Sequence, residues 1–377
     1  MLWPFAPRDV CTEALEFRSD VLRPRAAEQR IRLANGPRTT YQHDYTMTPP
    51  QHELAASLLR AAAPGPYQVP VWPEWQRGSI ASGADTVAID TTAARYAVGG
   101  QAVLWQDWNA AEVLTIDTVG PGALGFTTPA SRSYVNAVIA PVCTAYCPQG
   151  LSLDRRAETA FSARMDWDSD DVLDLADDAS LPTLYRGDPL LLAARIGAES
   201  FADRLLREVA TVDNGIAARA YDPLLTSARR TVGVAWLTEG AAALWLLRRQ
   251  LHTLRGRVRA FWAPSWNNGL RLAANASGGA GSLSIQYAGL SLAPAAGDLF
   301  VKRQDGSTLA LQYTNAVAAG ATETLTLAAP LPGALNVADI ACFSRLLRVR
   351  LDADRVELAH RAPRQCRVIA PVIEVPL

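Results

Sequence analysis

Apolar and polar residues alternate from Thr40 to Met47, and the spacing then changes to a helical one from Pro50 to Ala62, where Leu54, Leu58 and Leu59 share one face. Gly65 interrupts the pattern, and a second extended run, Val69 to Trp75, closes on Pro73-Glu74-Trp75. The same succession returns later in the chain. An extended run covers Thr231 to Leu237, a helical one covers Glu239 to Thr253 with Leu244, Leu247 and Leu251 on one stripe, Gly256 follows, and Val258 to Trp266 ends in Pro264-Ser265-Trp266. Arg38 to Trp75 can be laid on Arg229 to Trp266 without a gap, so that Thr40 meets Thr231, Tyr45 meets Trp236, Gly65 meets Gly256, Pro73 meets Pro264 and Trp75 meets Trp266. Few residues are identical, but their order is kept, which reads as an internal duplication.

Past each Pro-x-Trp the pattern turns to short runs rich in Val, Ile, Leu and Thr, separated by Gly, Pro and Asp-Gly turns. In the first copy these are Thr86 to Asp90, Ala102 to Gln106, Glu112 to Asp117, Ala123 to Thr127 and Val135 to Val142. In the second they are Ser282 to Tyr287, Asp298 to Lys302, Thr308 to Gln312, Glu323 to Ala328 and Val337 to Phe343, with Asp305-Gly306 as a hairpin turn. Each set predicts a small antiparallel β unit, after which extended runs resume at Gly150 to Trp167 and Leu347 to Val375. The predicted fold is mainly β with few helices, a β-rich α+β class. It consists of two tandem sandwich-plus-helix modules, each interrupted by an inserted β domain. The expected limits are 1–77 with 143–167 for the first sandwich, 78–142 for its insert, 215–266 with 345–377 for the second sandwich and 267–344 for its insert. The connector 168–214 is acidic at first and then helix-like from Gly197 to Ala210.

Composition narrows the function more than the fold. A hydrophobic share of 49% fills real cores, and 36 basic against 37 acidic residues leave no electrostatic footprint for nucleic acid. Lys302 is the only lysine, so the positive charge is almost all arginine, which suits planar interface contacts; a GC-rich genome explains it as well. No apolar stretch approaches the roughly 20 residues of a membrane span, and Met1 to Pro7 lacks the basic flank of a signal peptide. A soluble chain is expected.

Candidate chemistry is sparse. The five cysteines (Cys11, Cys143, Cys147, Cys342, Cys366) are odd in number and scattered, and Cys143 and Cys147 have no second close Cys or His pair to complete a zinc site. Buried thiols are the expectation, with no metal and no cofactor. Asp166, Asp168, Asp170, Asp171 and Asp174 resemble a calcium loop, yet Asp171 stands where a glycine is required and Asp177 where a glutamate is. Arg186-Gly187-Asp188 reads as a tight turn, and Gly278 to Gly281 as a flexible lead-in to the insert. No nucleophile motif occurs, and His43, His52, His252 and His360 are isolated, so no catalytic residue is expected. Ten tryptophans keep a second reading open, a β protein that binds or cleaves carbohydrate. Trp75 and Trp266 recur in both copies and are read as core or interface, whereas Trp105 and Trp108 have no tryptophan counterparts and are the candidates for an exposed contact.

A family resemblance rests on these same stretches. Glu28-Gln29-Arg30, Pro37-Arg38, the strand, helix and glycine turn, and Trp72-Pro73-Glu74-Trp75 resemble the opening of distal tail or tail-tip proteins of tailed bacteriophages. Tyr185 to Leu190, Arg255-Gly256-Arg257, Phe261 to Trp266 and Arg350 to Glu357 extend the likeness through the second half. The resemblance implies a non-enzymatic virion protein, made in the bacterial cytoplasm, that forms a ring at the tail's end. Its partners would be its own copies, the tail tube protein, and hub or fibre proteins. Two modules per chain around a six-fold tube favour a trimer. A hexamer with one module in the ring is the alternative.

Overall fold

The computed structural model describes residues 1–377 apart from 9–10, 23–27, 63–64, 158, 194, 197–203, 208, 217, 224–227, 293–295, 363–364 and 376–377. The first half opens with β1 (Cys11–Glu16), a hairpin of β2 (Ser19–Leu22) and β3 (Gln29–Arg32), then β4 (Arg38–Met47), α1 (Pro49–Ala61) and β5 (Tyr67–Pro70). β6 (Gln76–Ile80), β7 (Thr86–Val87), β8 (Gln101–Asp107), β9 (Ala110–Gly120) and β10 (Ala123–Phe126) follow, then the long β11 (Tyr134–Tyr146), β12 (Ser152–Ala157) and β13 (Ala160–Ser169). Six short strands connect the halves: β14 (Leu184–Tyr185), β15 (Asp188–Pro189), β16 (Arg195–Ile196), β17 (Arg204–Leu206), β18 (Val209–Val212) and β19 (Ala220–Pro223). The second half has β20 (Arg229–Glu239), α2 (Ala241–Leu254), β21 (Phe261–Pro264), β22 (Ser282–Gln286), β23 (Gly297–Arg303), β24 (Thr308–Ala319) and β25 (Thr322–Leu327). It ends with β26 (Ile340–Leu351), β27 (Arg355–Ala362) and β28 (Gln365–Glu374).

The chain is therefore mainly β and sandwich-like, with large antiparallel sheets and, among the described residues, two α-helices. The local reasons are visible in the sequence. In β4 the side chains of Tyr41, His43, Tyr45 and Met47 all turn to the buried face, as a period of two requires. α1 starts where Thr48, whose backbone N–H donates to Gln51 Oε1 at 2.8 Å, meets Pro49 in the first turn. α2 ends at Arg255, which takes a left-handed conformation (φ 56°), and Gly256 continues it at φ 62°.

Strand order repeats between the halves. β12, β13, β4 and β1 lie side by side in the first, and β27, β28, β20 and β17 in the second, with β16 sharing the edge of β20 beside β17. The registers correspond as well. Ala14, Leu15 and Glu16 face Thr40, Thr39 and Arg38, while Arg204, Leu205 and Leu206 face Thr231, Arg230 and Arg229. A parallel bridge joins Leu2 to Gln68, and another joins Leu190 to Trp262. β1 also pairs along its other edge with β27, so the two four-strand arrays form one sheet in the order β12, β13, β4, β1, β27, β28, β20, β17.

Four large apolar clusters fill the fold. One joins Tyr41, Tyr45 and Met47 of β4 to Ala163, Met165 and Trp167 of β13, with Trp3 at 0% exposure between them. Its counterpart joins Val232, Val234 and Trp236 of β20 to Leu244, Leu247, Leu251 and Leu254 of α2, and takes in Leu15 and Phe17 from the first half. Two more sit within β6–β11 and β22–β26. Burial of each such Leu, Val or aromatic side chain is worth roughly 1.5–3 kcal/mol.

The structure departs from the sequence pattern in two places. β5 pairs Pro70 with Val142 and β21 pairs Pro264 with Leu346, so the proline matching Pro264 in the sheet is Pro70; Pro73 sits in a 3-10 turn, Trp72–Glu74. A three-residue difference in loop length absorbs the shift, which a gapless overlay cannot show. The helix expected over Gly197 to Ala210 is not there in the described part, where Arg204–Leu206 and Val209–Val212 are strands, while 197–203 lie outside the described residues. The free edge of β20 overrides helical propensity at Leu205 and Leu206. The expected limit at 142/143 falls inside the continuous strand β11, where Ile139 packs among β6–β10, and Cys143 and Ala145 among β4 and β13.

Candidate functional site

The joint between the halves is built on polar chemistry in a dry place. On β1, Glu13 points inward at 1% exposure and faces Arg248 of α2, whose Nε donates to Glu13 Oε2 at 3.1 Å and whose Nη2 makes a closer contact with the same oxygen. Arg248 Nη1 donates to Glu74 Oε1 at 2.7 Å, and Arg95 Nε donates to that oxygen at 2.7 Å. His360 of β27 lies 3.2 Å from Glu13 Oε2 through Nε2. Two carboxylates and two guanidiniums thus balance around one neutral imidazole. Burial alone would raise the Glu13 carboxyl, but Arg248, the hydrogen bond from His360 and Arg95 outweigh it and hold it well below the usual range. Burial pushes the His360 imidazole down in spite of Glu13, so it stays uncharged and donates.

Two further contacts close the same joint. Glu28, just before β3, binds Arg229 at 3.2 Å and makes a close pair with Arg350, which has 0% exposure. Asp354 accepts from Ser19 Oγ at 2.6 Å and from Arg257 Nη2 at 3.1 Å. Gly256 passes beneath this point, where an added Cβ would stand 2.6 Å from Asp354 Oδ1 and 2.9 Å from Phe17 Cβ. Breaking one partner of a buried ion pair costs about 3–5 kcal/mol. The halves are therefore fixed to each other by strand pairing, apolar contact and buried charge together.

Trp105 and Trp108 do meet, in a cleft of about 300 Å³ lined also by Phe5, Tyr45, Met47, Gln51 and Asp107. Both rings are half-buried. Trp105 stands edge-on to Trp72 at 5.5 Å, and its Nε1 donates to the Pro4 carbonyl at 2.7 Å. Asp107 is the one carboxylate in the cleft lining, and its Oδ1 already accepts the backbone N–H groups of Asn109 and Ala110 at 2.8 and 3.0 Å. A pair of facing carboxylates, the requirement for sugar cleavage, is not assembled in this lining.

The repeat marks take structural positions. Trp75 carries the Arg77 guanidinium 5.2 Å over its ring, and Trp266, at φ 52°, stands edge-on to Phe300 at 5.0 Å. Gly65, at φ 135°, is packed by Tyr67 and Tyr146. Cys143 and Cys147 are buried, as are Cys11, Cys342 and Cys366. Asp166 accepts from Gln42 Nε2 at 2.9 Å, Asp174 pairs with Arg255 at 3.4 Å, and among the described residues no three metal-binding side chains gather. In the Arg186-Gly187-Asp188 turn both Arg186 and Gly187 have positive φ, while Arg186 binds Asp298 at 2.8 Å and Asp188 binds Arg348 at 2.7 Å.

The residues of the charge cluster were missed by sequence reasoning, though one carried a signal. Arg248 follows Leu244 by four and precedes Leu251 by three, which places a charge on the apolar stripe of α2. No family model matches the chain, and no curated protein matches it in sequence.

Proposed function

We propose that this chain is a structural virion protein that forms a ring at the distal end of a phage tail and joins the tail tube to the hub and fibres. The observation that carries the reading is the head-to-tail joint of two arrays with the same strand order and register, β1 of one against β27 of the other. Such a joint is heterologous, and a heterologous joint repeated through a closing rotation makes a ring. The duplication read in the sequence, the resemblance to tail-tip proteins and the arginine-rich joint support the same conclusion. The β6–β11 and β22–β26 regions, each with its own apolar cluster, are then the domains that project to hold fibres or meet the host. The sugar reading is less favoured because the Trp105 and Trp108 cleft offers one tethered carboxylate and a Trp105 N–H already engaged. Among the described residues no helix is long and apolar enough to cross a membrane.

Native mass spectrometry of the purified full chain tests the assembly: three chains are expected, six would replace the trimer by the hexamer, and a chain that stays monomeric at every concentration would remove the ring. Gold-labelled antibody to the chain should mark the tail end of particles. Label elsewhere, or none, would remove the location.

A further inference from the structure

The joint inside the chain leaves its two counterparts open. β1 lies between β4 and β27, but β17, which occupies the place of β1 beside β20, has among the described residues no strand on its outer edge. β12 occupies the place of β27, since Ser152 faces Arg164 as Glu357 faces Ile369, and it too pairs on one side alone among the described residues. The open edge is apolar: Leu205 is 73% exposed and Leu206 38%, whereas Leu15, in the matching position, is 1% exposed inside the joint. An exposed apolar edge strand is a template for pairing with another chain.

A second difference points the same way. Seven residues of α2 are buried (Leu244, Leu247, Arg248, Leu251, His252, Thr253, Leu254), but only Ala55 of α1 is. α2 packs its leucines on its own half and gains further cover from outside it: Glu13 and Glu74 on Arg248, Phe17 edge-on to His252 at 6.0 Å, and the connector through Asp177 N–H to Thr253 Oγ1 at 2.9 Å. α1 has Leu54, Leu58 and Leu59 half-buried, packed against the same apolar cluster as Phe161 and Leu151, the residue before β12. In the first half the strand edge is unpaired among the described residues and the helix only half-buried, where the second half has the matching edge paired and the helix buried.

We infer that a second copy of this chain covers them: β17 of one copy pairs antiparallel with β12 of the next, in the register that β1 and β27 use within the chain. This rests on the ring reading and names its contact. The register follows by transfer. Ala14 faces Glu357 and Leu15 faces Val356, so Arg204 of one copy faces Ser152 of the next and Leu205 faces Leu151. The hydrogen-bond phase transfers too. Phe17 N–H donates to the Asp354 carbonyl at 2.9 Å, which makes Leu15 and Val356 a hydrogen-bonded pair and Ala14 and Glu357 a non-hydrogen-bonded one. The Leu205 N–H therefore faces the neighbouring copy, and Arg204 and Ser152 stand about 4.5 Å apart between Cα atoms, within disulfide reach. Inside one chain the two edges are seven strand spacings apart, about 30 Å, so a disulfide there reports contact between copies.

The test uses the full chain with Arg204→Cys and Ser152→Cys together, the five native thiols being buried. Mild oxidation should give a ladder of linked chains on a non-reducing gel ending at the ring's own number, while Arg204→Cys with Asp154→Cys, two residues out of register, should link at least tenfold less. Leu205→Pro, which removes only the outward N–H of an edge strand, should leave the circular dichroism spectrum unchanged and weaken assembly by at least tenfold in concentration. A ring of the expected mass that neither links nor responds to Leu205→Pro would overturn the edge contact and leave the ring standing. A wild-type chain that stays monomeric and unlinked would overturn both.

Discussion

α1 and α2 occupy the same place after matching strands, yet one has a single buried residue and the other has seven. The leucines of α2 pack mostly on its own half, but its buried polar residues are met from outside it. The strand β1, the turn Trp72–Glu74 and the connector lay Glu13, Phe17, Glu74 and Asp177 across α2. A helix buries what its neighbours let it bury. In α2 that includes a fully buried arginine, which is tolerable only because two carboxylates meet it.

Acid should act on both halves and has the largest expected effect. Burial lowers His43 of β4 to about 3 and His252 of α2 to about 4, both below the unfolded value of 6.5. The unfolded chain therefore binds protons that the folded chain refuses, so stability is full above pH 6.5 and falls as pH drops towards those values, by about 1.4 kcal/mol per pH unit for each imidazole. Between pH 6 and pH 4 this is about 5 kcal/mol, and Glu13, held low, adds its own loss only below about pH 4.5. Denaturant melts across this range read the slope, to which His360, also pushed down by burial, adds; His252→Gln should reduce it, and an unchanged slope would show that the imidazole does not carry it.

Arg248→Leu leaves Glu13 without its main partner and should cost about 3–5 kcal/mol in urea unfolding. Ser57→Ala, on the exposed side of α1, should change stability by no more than about 0.5 kcal/mol. Equal effects would erase the contrast between the helices.

Leu251→Ala empties a site with 0% exposure and should cost about 2–5 kcal/mol. Leu59→Ala, at a half-buried position, should cost about 1–2 kcal/mol in the isolated chain. Its cost should grow in the assembled ring, which a comparison of melting below and above the assembly concentration would reveal.

The smallest contrast expected is between two glycines. Gly256→Ala adds a Cβ at φ 62° against Phe17 and Asp354, for about 2 kcal/mol, whereas Gly306→Ala, at φ 86° with open space around it, should cost about 1 kcal/mol. Thermal melts of the two variants should keep that order.

The alternation of Thr40 to Met47, the leucine stripes of the two helices and the hairpin turn at Asp305-Gly306 were legible because each is a local rule: side-chain period and turn chemistry act within a few residues. The mainly β class, the two helices and most strands of the inserted regions follow from them. The long β11 was not legible, because nothing local marks the point where a strand leaves one core and enters another. Nor was the extended form of Leu205 and Leu206, whose conformation is set by the free edge of β20. The charge cluster lay hidden for the same reason. Glu13, Glu74, Arg95, Arg248 and His360 are scattered over nearly the whole chain, and they meet only where the two halves join, with β1 paired to β27 and α2 packed beside them. By itself the sequence determined period, turns and the order of the repeated elements. Which edges and faces are covered was decided by tertiary structure, since pairing and burial depend on neighbours distant in the chain.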